Sequence, residues 1–128
     1  MSGVVADTSV WIDFLAGRPA PALEEALAQG LVVLPPLVVE ELVSRARAQR
    51  ERAAIALLLG KLPLHETSLD HWIRVGELRQ SLRNKGLSVS IPDAHVAQCA
   101  LDRDAVLLSR DAVFASIARH SPLRLHSA

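Results

Sequence analysis

The sequence predicts a single α/β domain in which helices cover both faces of a central, mainly parallel sheet. Short apolar runs alternate with helical segments along the chain, and parallel strands are usually joined by helices. The length of 128 residues suits one domain, residues 1–128, and half of the residues are apolar, which is enough for a buried core. Sheets of this kind bind their ligands beyond the carboxyl ends of the strands.

Strands are predicted where short apolar runs are bounded by polar or turn-forming residues. The predicted strands are 3–6, 31–34, 62–65, 105–108 and 123–125. The run 62–65 is interrupted by Pro63, and we expect 123–125 to be an edge strand.

Helices are predicted from capping side chains, from prolines in first turns and from glycines that follow last turns. Asp7 precedes the first helix, Ser68 caps the longest one, and Pro36 and Pro92 open two others. The predicted helices are 10–15, 22–29, 37–47, 50–59, 69–84, 92–103 and 110–119.

Composition excludes several classes of function. Lys plus Arg and Asp plus Glu both number 14, so the formal net charge is zero, which excludes a polybasic nucleic-acid clamp. A bound metal ion would still allow a neutral protein to hold a polyanion. Because Cys99 stands alone and no signal or membrane-spanning segment is visible, we expect a cytoplasmic protein without a disulfide.

Three aspartates stand where strands end or helices begin. Asp7 follows the first strand, Asp111 follows the apolar run that starts at Ala105, and Asp93 lies beside Pro92. Each fits helix capping as well as chemistry, because Asp is favoured at helix N-termini. Position alone therefore leaves both roles open.

A glutamate in the helix 37–47 is a further candidate. Glu40 and Glu41 flank the apolar face of this helix on opposite sides, so periodicity does not choose between them. A surface ion pair with Arg45, one turn further on, would also account for Glu41. Several carboxylates that converged at one sheet edge would repel each other unless a divalent cation such as Mg²⁺ or Mn²⁺ neutralised them.

Four segments resemble the successive motifs of PIN-domain ribonucleases, most closely the VapC toxins of toxin–antitoxin pairs. In chain order they are 4–12 (VVADTSVWI), 39–42 (VEEL), 91–97 (IPDAHVA) and 107–114 (LLSRDAVF). Together they span essentially the whole chain. The resemblance implies a PIN-like three-layer α/β/α fold.

The resemblance also assigns roles to individual residues. It implies that Asp7, Glu41, Asp93 and Asp111 hold Mg²⁺ or Mn²⁺, and that Ser9 orients the site. Many family members carry a second acid where Val113 stands, so Asp111 is the one carboxylate expected from that loop, and Ser109 occupies a position where Thr is more usual.

The implied activity is that of a metal-dependent endoribonuclease toxin that cuts RNA and leaves 5′-phosphate and 3′-hydroxyl ends. The implied partners are the RNA substrate, a small antitoxin protein and a second copy of the chain in a homodimer. In the family, the antitoxin often blocks the site with an arginine side chain that reaches the acids. No membrane partner is expected.

Three other functions were weighed against this one. A PIN-like module that binds RNA without cutting it would need fewer of these acids. A phospho-acceptor receiver domain would need an acid pair where Asp7 is followed by Thr8, and a lysine after a late strand, whereas the lysines are Lys61 and Lys85. A haloacid-dehalogenase-like phosphatase would need an aspartate where Ser9 stands.

The remaining polar and aromatic residues have structural interpretations. We expect His95 on the surface or at a partner contact, Trp72 in the core and Asp102 in solvent or at a cap. The other histidines show no metal-ligand spacing, which makes a zinc site unexpected. Cys99 is interpreted as a packing residue in an apolar helix.

Overall fold

The computed structural model describes residues 3–127, which form helices around a parallel sheet. The strands are β1 (Val4–Ala6), β2 (Val106–Ser109) and β3 (Arg124–Ser127). The helices are α1 (Thr8–Leu15), α2 (Pro21–Ala28), α3 (Pro36–Arg45), α4 (Gln49–Leu59), α5 (Leu69–Asn84), α6 (Ile91–Asp102) and α7 (Ala112–Arg119).

The sheet is parallel throughout, as the sequence predicts. Its strand order is β1-β2-β3, and single parallel bridges join Val4 to Val32 and Leu34 to Leu64 on the far side of β1. The predicted strands 31–34 and 62–65 are therefore reduced to isolated bridges. Prolines explain the shortening, because Pro63 and the residues after Leu34 lack the amide donors that a longer ladder needs.

Both faces of the sheet are covered. Val4, Val5 and Ala6 of β1 are all buried, although successive side chains of a strand point to opposite faces. α6 packs on β1 and β2, α7 packs on β3, and α1 contacts β2. No helix within residues 3–127 is both long enough and apolar enough to cross a bilayer.

The helix starts show which side chains cap and which do not. Asp7 accepts a hydrogen bond from the Val10 amide at the start of α1, and Asp111 accepts one from the Val113 amide at the start of α7. Asp93 has no such role, because Ser90 caps α6. The capping interpretation thus holds for two of the three aspartates.

A polar cluster lies inside the core between α5 and α6. His71 and His95 are fully buried and His65 is nearly so. His71 forms hydrogen bonds with Asp102 through Nδ1 and with His95 through Nε2, both at 2.9 Å. Trp72 lies across the His95 ring with an interplanar angle of 13° and remains partly exposed.

Three sequence interpretations are corrected by this cluster. His95 is internal rather than on the surface, and Trp72 is a partly exposed cover rather than a core residue. Asp102 is neither solvated nor a cap, since it accepts hydrogen bonds from Arg74 and Gln98 as well as His71. These contacts outweigh the effect of burial, which favours the neutral acid, and they hold the pKa of Asp102 below its ordinary value.

Acid is expected to lower the free energy of unfolding through His95. Burial, assisted by the neighbouring His71 and His65, lowers the pKa of His95 from 6.5 to about 4 in the folded protein. Between pH 6.5 and about pH 4, the unfolded chain binds the His95 proton more readily than the folded protein does. The stabilisation that is present above the pKa of the unfolded state is therefore lost as pH falls towards the pKa of the folded state. The loss is at most about 1.4 kcal/mol per pH unit from this group.

Urea denaturation between about pH 7.5 and pH 5 measures this dependence. His95→Gln is expected to reduce the slope, whereas replacement of the exposed His120 by Gln is expected to leave it unchanged. A wild-type free energy of unfolding that stays constant over this range would contradict the expectation.

Candidate functional site

All five predicted site residues line one cleft at the carboxyl ends of the strands. The cleft has a volume of about 240 Å³. Asp7 directly follows β1 and Asp111 follows β2, while Glu41 comes from α3 and Asp93 from α6. Ser9 of α1 is the fifth, and the rest of the lining is formed by Thr8, Ile12, Arg45, Pro92, Val96 and Phe114.

Asp7 is the most firmly held of the acids. Its side chain is buried, and Oδ1 accepts hydrogen bonds from the Ser9 hydroxyl at 2.8 Å and from the Val10 amide at 3.2 Å. Oδ2 accepts a further hydrogen bond from the Ser109 hydroxyl at 2.6 Å. Both carboxylate oxygens are thus oriented by the protein before any ligand arrives.

Ser109 links two of the acidic segments. Its hydroxyl donates to Asp7 and accepts from the Asp111 amide at 3.0 Å, so the loop after β2 is tied to the end of β1. In the same loop, Arg110 forms an ion pair with Asp13 of α1. The sequence marks Ser109 only by its place before Arg110 and Asp111, and the link itself emerges from the parallel pairing of β1 and β2.

The negative charges of neighbouring acids affect the ionisation of Asp93. It lies in the first turn of α6, partly buried, and its amide donates to the Ser90 hydroxyl at 3.2 Å. Burial raises the pKa of Asp93, the carboxylates of Asp111 and Asp7 raise it further, and a hydrogen bond from Ser90 opposes the change. Three of the four acids therefore interact electrostatically across the cleft.

The structure distinguishes the two glutamates of α3. Glu41 lines the cleft and is partly buried, whereas Glu40 is exposed and lies near the Ser44 hydroxyl, 3.5 Å from it. Within residues 3–127 no ion pair joins Glu41 to Arg45. Arg45 instead brings a positive charge to the cleft lining.

The chemistry of this donor set fits a hard divalent cation. Carboxylate oxygens and a hydroxyl are the ligands that Mg²⁺ and Mn²⁺ prefer. Among the described residues, however, no three of the acids in the cleft bring one carboxylate oxygen each to within 4.8 Å of one another. Like charges repel, and closer approach of these carboxylates requires a cation between them.

A second possible ligand set lies away from the cleft. Atoms of His65, His71 and Cys99 are within 4.8 Å of one another and all three residues are buried, which the sequence spacing did not indicate. Both ring nitrogens of His71 already have hydrogen-bond partners, namely Asp102 and His95. Coordination by His71 would break one of these bonds.

Comparison with known proteins places the fold. The PIN domain family model matches residues 4–120, and no curated protein matches the chain. The structure is similar to DNA-bound VapBC from Salmonella typhimurium, with a TM-score of 0.82, 21% identity and 98% of each chain covered. It is also similar to promoter-bound VapBC2 from Rickettsia felis, with a TM-score of 0.78, 20% identity and 96% of each chain covered.

A third similar structure is VapBC-5 from Mycobacterium tuberculosis, a member of the VapBC family of toxin–antitoxin systems. The TM-score is 0.73 at 23% identity, and 100% of each chain is covered. At these identities the likeness establishes the fold. The expected PIN-like α/β/α fold is confirmed.

Asp93→Asn is expected to stabilise the protein modestly, because it removes a carboxylate whose ionisation is opposed by burial and by the charges of Asp7 and Asp111. Ser90→Ala is the matched control in the same helix turn, and loss of this cap is expected to cost about 1 kcal/mol. Chemical denaturation at neutral pH in EDTA measures both. A clear loss of stability in Asp93→Asn would show that its charge supports the fold.

Proposed function

This chain belongs to the PIN domain family, and on that premise we propose that it is a metal-dependent endoribonuclease of the VapC toxin type. One observation supports the proposal above others: Asp7, Ser9, Glu41, Asp93 and Asp111 line a single cleft at the carboxyl edge of the sheet. Four acids in one cleft suit a hydrolase that holds a cation more than a module that only binds RNA, because uncompensated negative charge repels phosphates.

The proposed cofactor is Mg²⁺ or Mn²⁺, held by Asp7, Glu41, Asp93 and Asp111. The raised pKa of Asp93 supports this assignment, since burial and then the carboxylates of Asp111 and Asp7 disfavour its charged form, and a bound cation would offset these effects. When bound, such an ion supplies activation of water and stabilisation of the departing oxygen.

Residues of the cleft orient the carboxylate of Asp7 and bind the RNA substrate. Ser9 and Ser109 fix both oxygens of Asp7, and Arg45 offers a positive charge to an RNA phosphate. Val96 and Phe114 form an apolar part of the cleft wall. In the proposed reaction, water oxygen attacks phosphorus, the bond from phosphorus to the 3′ oxygen breaks, and that oxygen takes a proton, which leaves 5′-phosphate and 3′-hydroxyl ends.

Glu41→Gln and Glu40→Gln form a matched pair, because they remove the same charge from adjacent positions of α3. Cleavage of a mixed RNA substrate with Mg²⁺ or Mn²⁺ is expected to fall at least about a hundredfold in Glu41→Gln, since the amide is a poor ligand for these cations. Glu40→Gln is exposed outside the cleft and is expected to stay within about twofold of the wild type.

Two controls identify the origin of the activity. EDTA should abolish cleavage. The Asp93→Asn variant should lose cleavage but remain folded, because Asp93 does not cap a helix. Equal activity in the two glutamine variants, or cleavage that persists in EDTA, would refute the metal site. A wild type that binds RNA and leaves it intact would favour the binding-module alternative.

We further propose that a small antitoxin binds beside the cleft. An apolar groove of about 220 Å³ adjoins it and shares Ile12 and Arg45 with its lining. Leu15, Leu42 and Ile55 supply further apolar surface there. A partner segment in this groove would lie next to the acids, where an arginine side chain would reach them.

Co-expression with the product of an adjacent small reading frame tests this partnership. A stable complex with reduced RNA cleavage is expected, because the groove and the cleft share their border. Leu15→Glu places a charge in the groove and should prevent co-purification but preserve cleavage, whereas Leu57→Glu, at a position 69% exposed on α4, should affect neither. Co-purification of both variants alike would exclude this groove as the binding site.

The homodimer implied by the family stays a prediction. Its best support is an exposed apolar patch on α5 formed by Leu69, Trp72 and Ile73, which are spaced as neighbours on one helix face.

A further inference from the structure

The start of α3 has no side-chain cap of its own. Pro35 occupies the capping position without a side-chain hydrogen bond, and Pro36 has no amide hydrogen. The amides of Val38 and Val39 donate to the Pro35 carbonyl at 3.0 and 3.3 Å. The Leu37 amide is the remaining donor of this first turn, and it donates to Nε2 of His95, 3.5 Å away on α6.

His95 is itself the end of a hydrogen-bonded chain. Its Nδ1 lies 2.9 Å from Nε2 of His71, and Nδ1 of His71 lies 2.9 Å from Oδ2 of Asp102. An amide can only donate and an ionised carboxylate can only accept, so the two ends fix the direction of every bond between them. Both imidazoles are therefore neutral and carry their hydrogen on Nδ1.

Asp102 anchors the other end. Arg74 donates to both of its oxygens, at 2.8 and 3.1 Å, and Gln98 donates at 2.8 Å. Trp72 covers the His95 ring from the solvent side by stacking on it. Nε2 of His65 also lies 3.4 Å from Oδ2 of Asp102, and Sγ of Cys99 lies 3.7 Å from Nε2 of His95. Each ring nitrogen of His71 and His95 thus has a partner, which is the condition under which a buried polar network makes a structure rigid.

The hydrogen-bonded chain ends close to the cleft, at a contact between two helices. Leu37 lies one helical turn before Glu41 on α3, and His95 lies two residues after Asp93 on α6. α3 and α6 pack against each other. A bond between Leu37 and His95 thus constrains the two helices within about one turn of both acids.

We propose that Asp102, His71 and His95 form a histidine relay that caps α3 from α6 and thereby positions Glu41 relative to Asp93. The three are positioning residues, since none of them lines the cleft. The part of the proposal that concerns the acids rests on the proposed metal-dependent function. The cap on α3 and the tautomers of the two histidines do not depend on that function, and NMR measures them independently.

Nitrogen-15 NMR of the histidine rings tests the relay directly. We expect both His71 and His95 to be neutral with hydrogen on Nδ1, and the Leu37 amide to be protected from exchange. His95→Leu should remove that protection, and His95→Gln should restore it, because a glutamine offers both an acceptor for Leu37 and a donor for His71. Hydrogen on Nε2 of His95 would overturn the proposal, as would a His71 ring that binds stoichiometric zinc.

Binding of Mn²⁺, followed by its EPR signal, tests the consequence for the acids. His95→Leu is expected to weaken Mn²⁺ binding about tenfold and to lower kcat for RNA cleavage with little change in KM, and His95→Gln should recover most of both. His65→Leu is the control, because His65 meets the relay only at its far end, where its Nε2 lies 3.4 Å from Oδ2 of Asp102, and its loss leaves the bonds of His71 and His95 in place. It should lose stability but keep Mn²⁺ affinity.

The outcomes separate the two proposals. Equal losses of Mn²⁺ affinity in His65→Leu and His95→Leu would reduce the relay to general packing and overturn it. Wild-type affinity and kcat in His95→Leu would overturn it as well. A wild type that neither binds Mn²⁺ nor cuts RNA would refute the proposed function instead, and the NMR measurement would still decide the relay.

Discussion

The buried carboxylate of Asp7 is the interaction on which the geometry of the cleft depends. Its oxygens receive hydrogen bonds from α1, through Ser9 and Val10, and from the end of β2, through Ser109. A buried charge is costly unless it is hydrogen-bonded, so these donors are a requirement of the fold as well as of the site. The position of Asp111 follows from the same arrangement, because its amide donates to Ser109.

Capping and chemistry are not alternatives at this edge of the sheet. A helix N-terminus offers unpaired amides, and an aspartate that satisfies them with one oxygen keeps lone pairs for a ligand. Asp7 and Asp111 cap helices and line the cleft at the same time. Asp93 shows the other solution, in which Ser90 serves as the cap and the acid remains free to face the cleft.

Much of the fold could be predicted from local sequence, and the failures have physical causes. Apolar runs and capping residues gave the helices and the parallel sheet, because both signals are local. The choice between Glu40 and Glu41 depends on how α3 packs on its neighbours, which periodicity within one helix does not contain. The cluster around His95 joins residues from three separate elements, and a histidine in an apolar helix carries no local sign of such partners.

The strand β1 has partners on both sides, and its pairing has a consequence for synthesis on the ribosome. Val4 pairs with Val106 on one side and with Val32 on the other, so its ladder on the β2 side closes only after most of the chain has been made. The cleft likewise draws its acids from segments that end with Asp111. A nascent or prematurely terminated chain therefore lacks a complete set of acids. The complete cleft forms only after the residues up to Asp111 have left the ribosome.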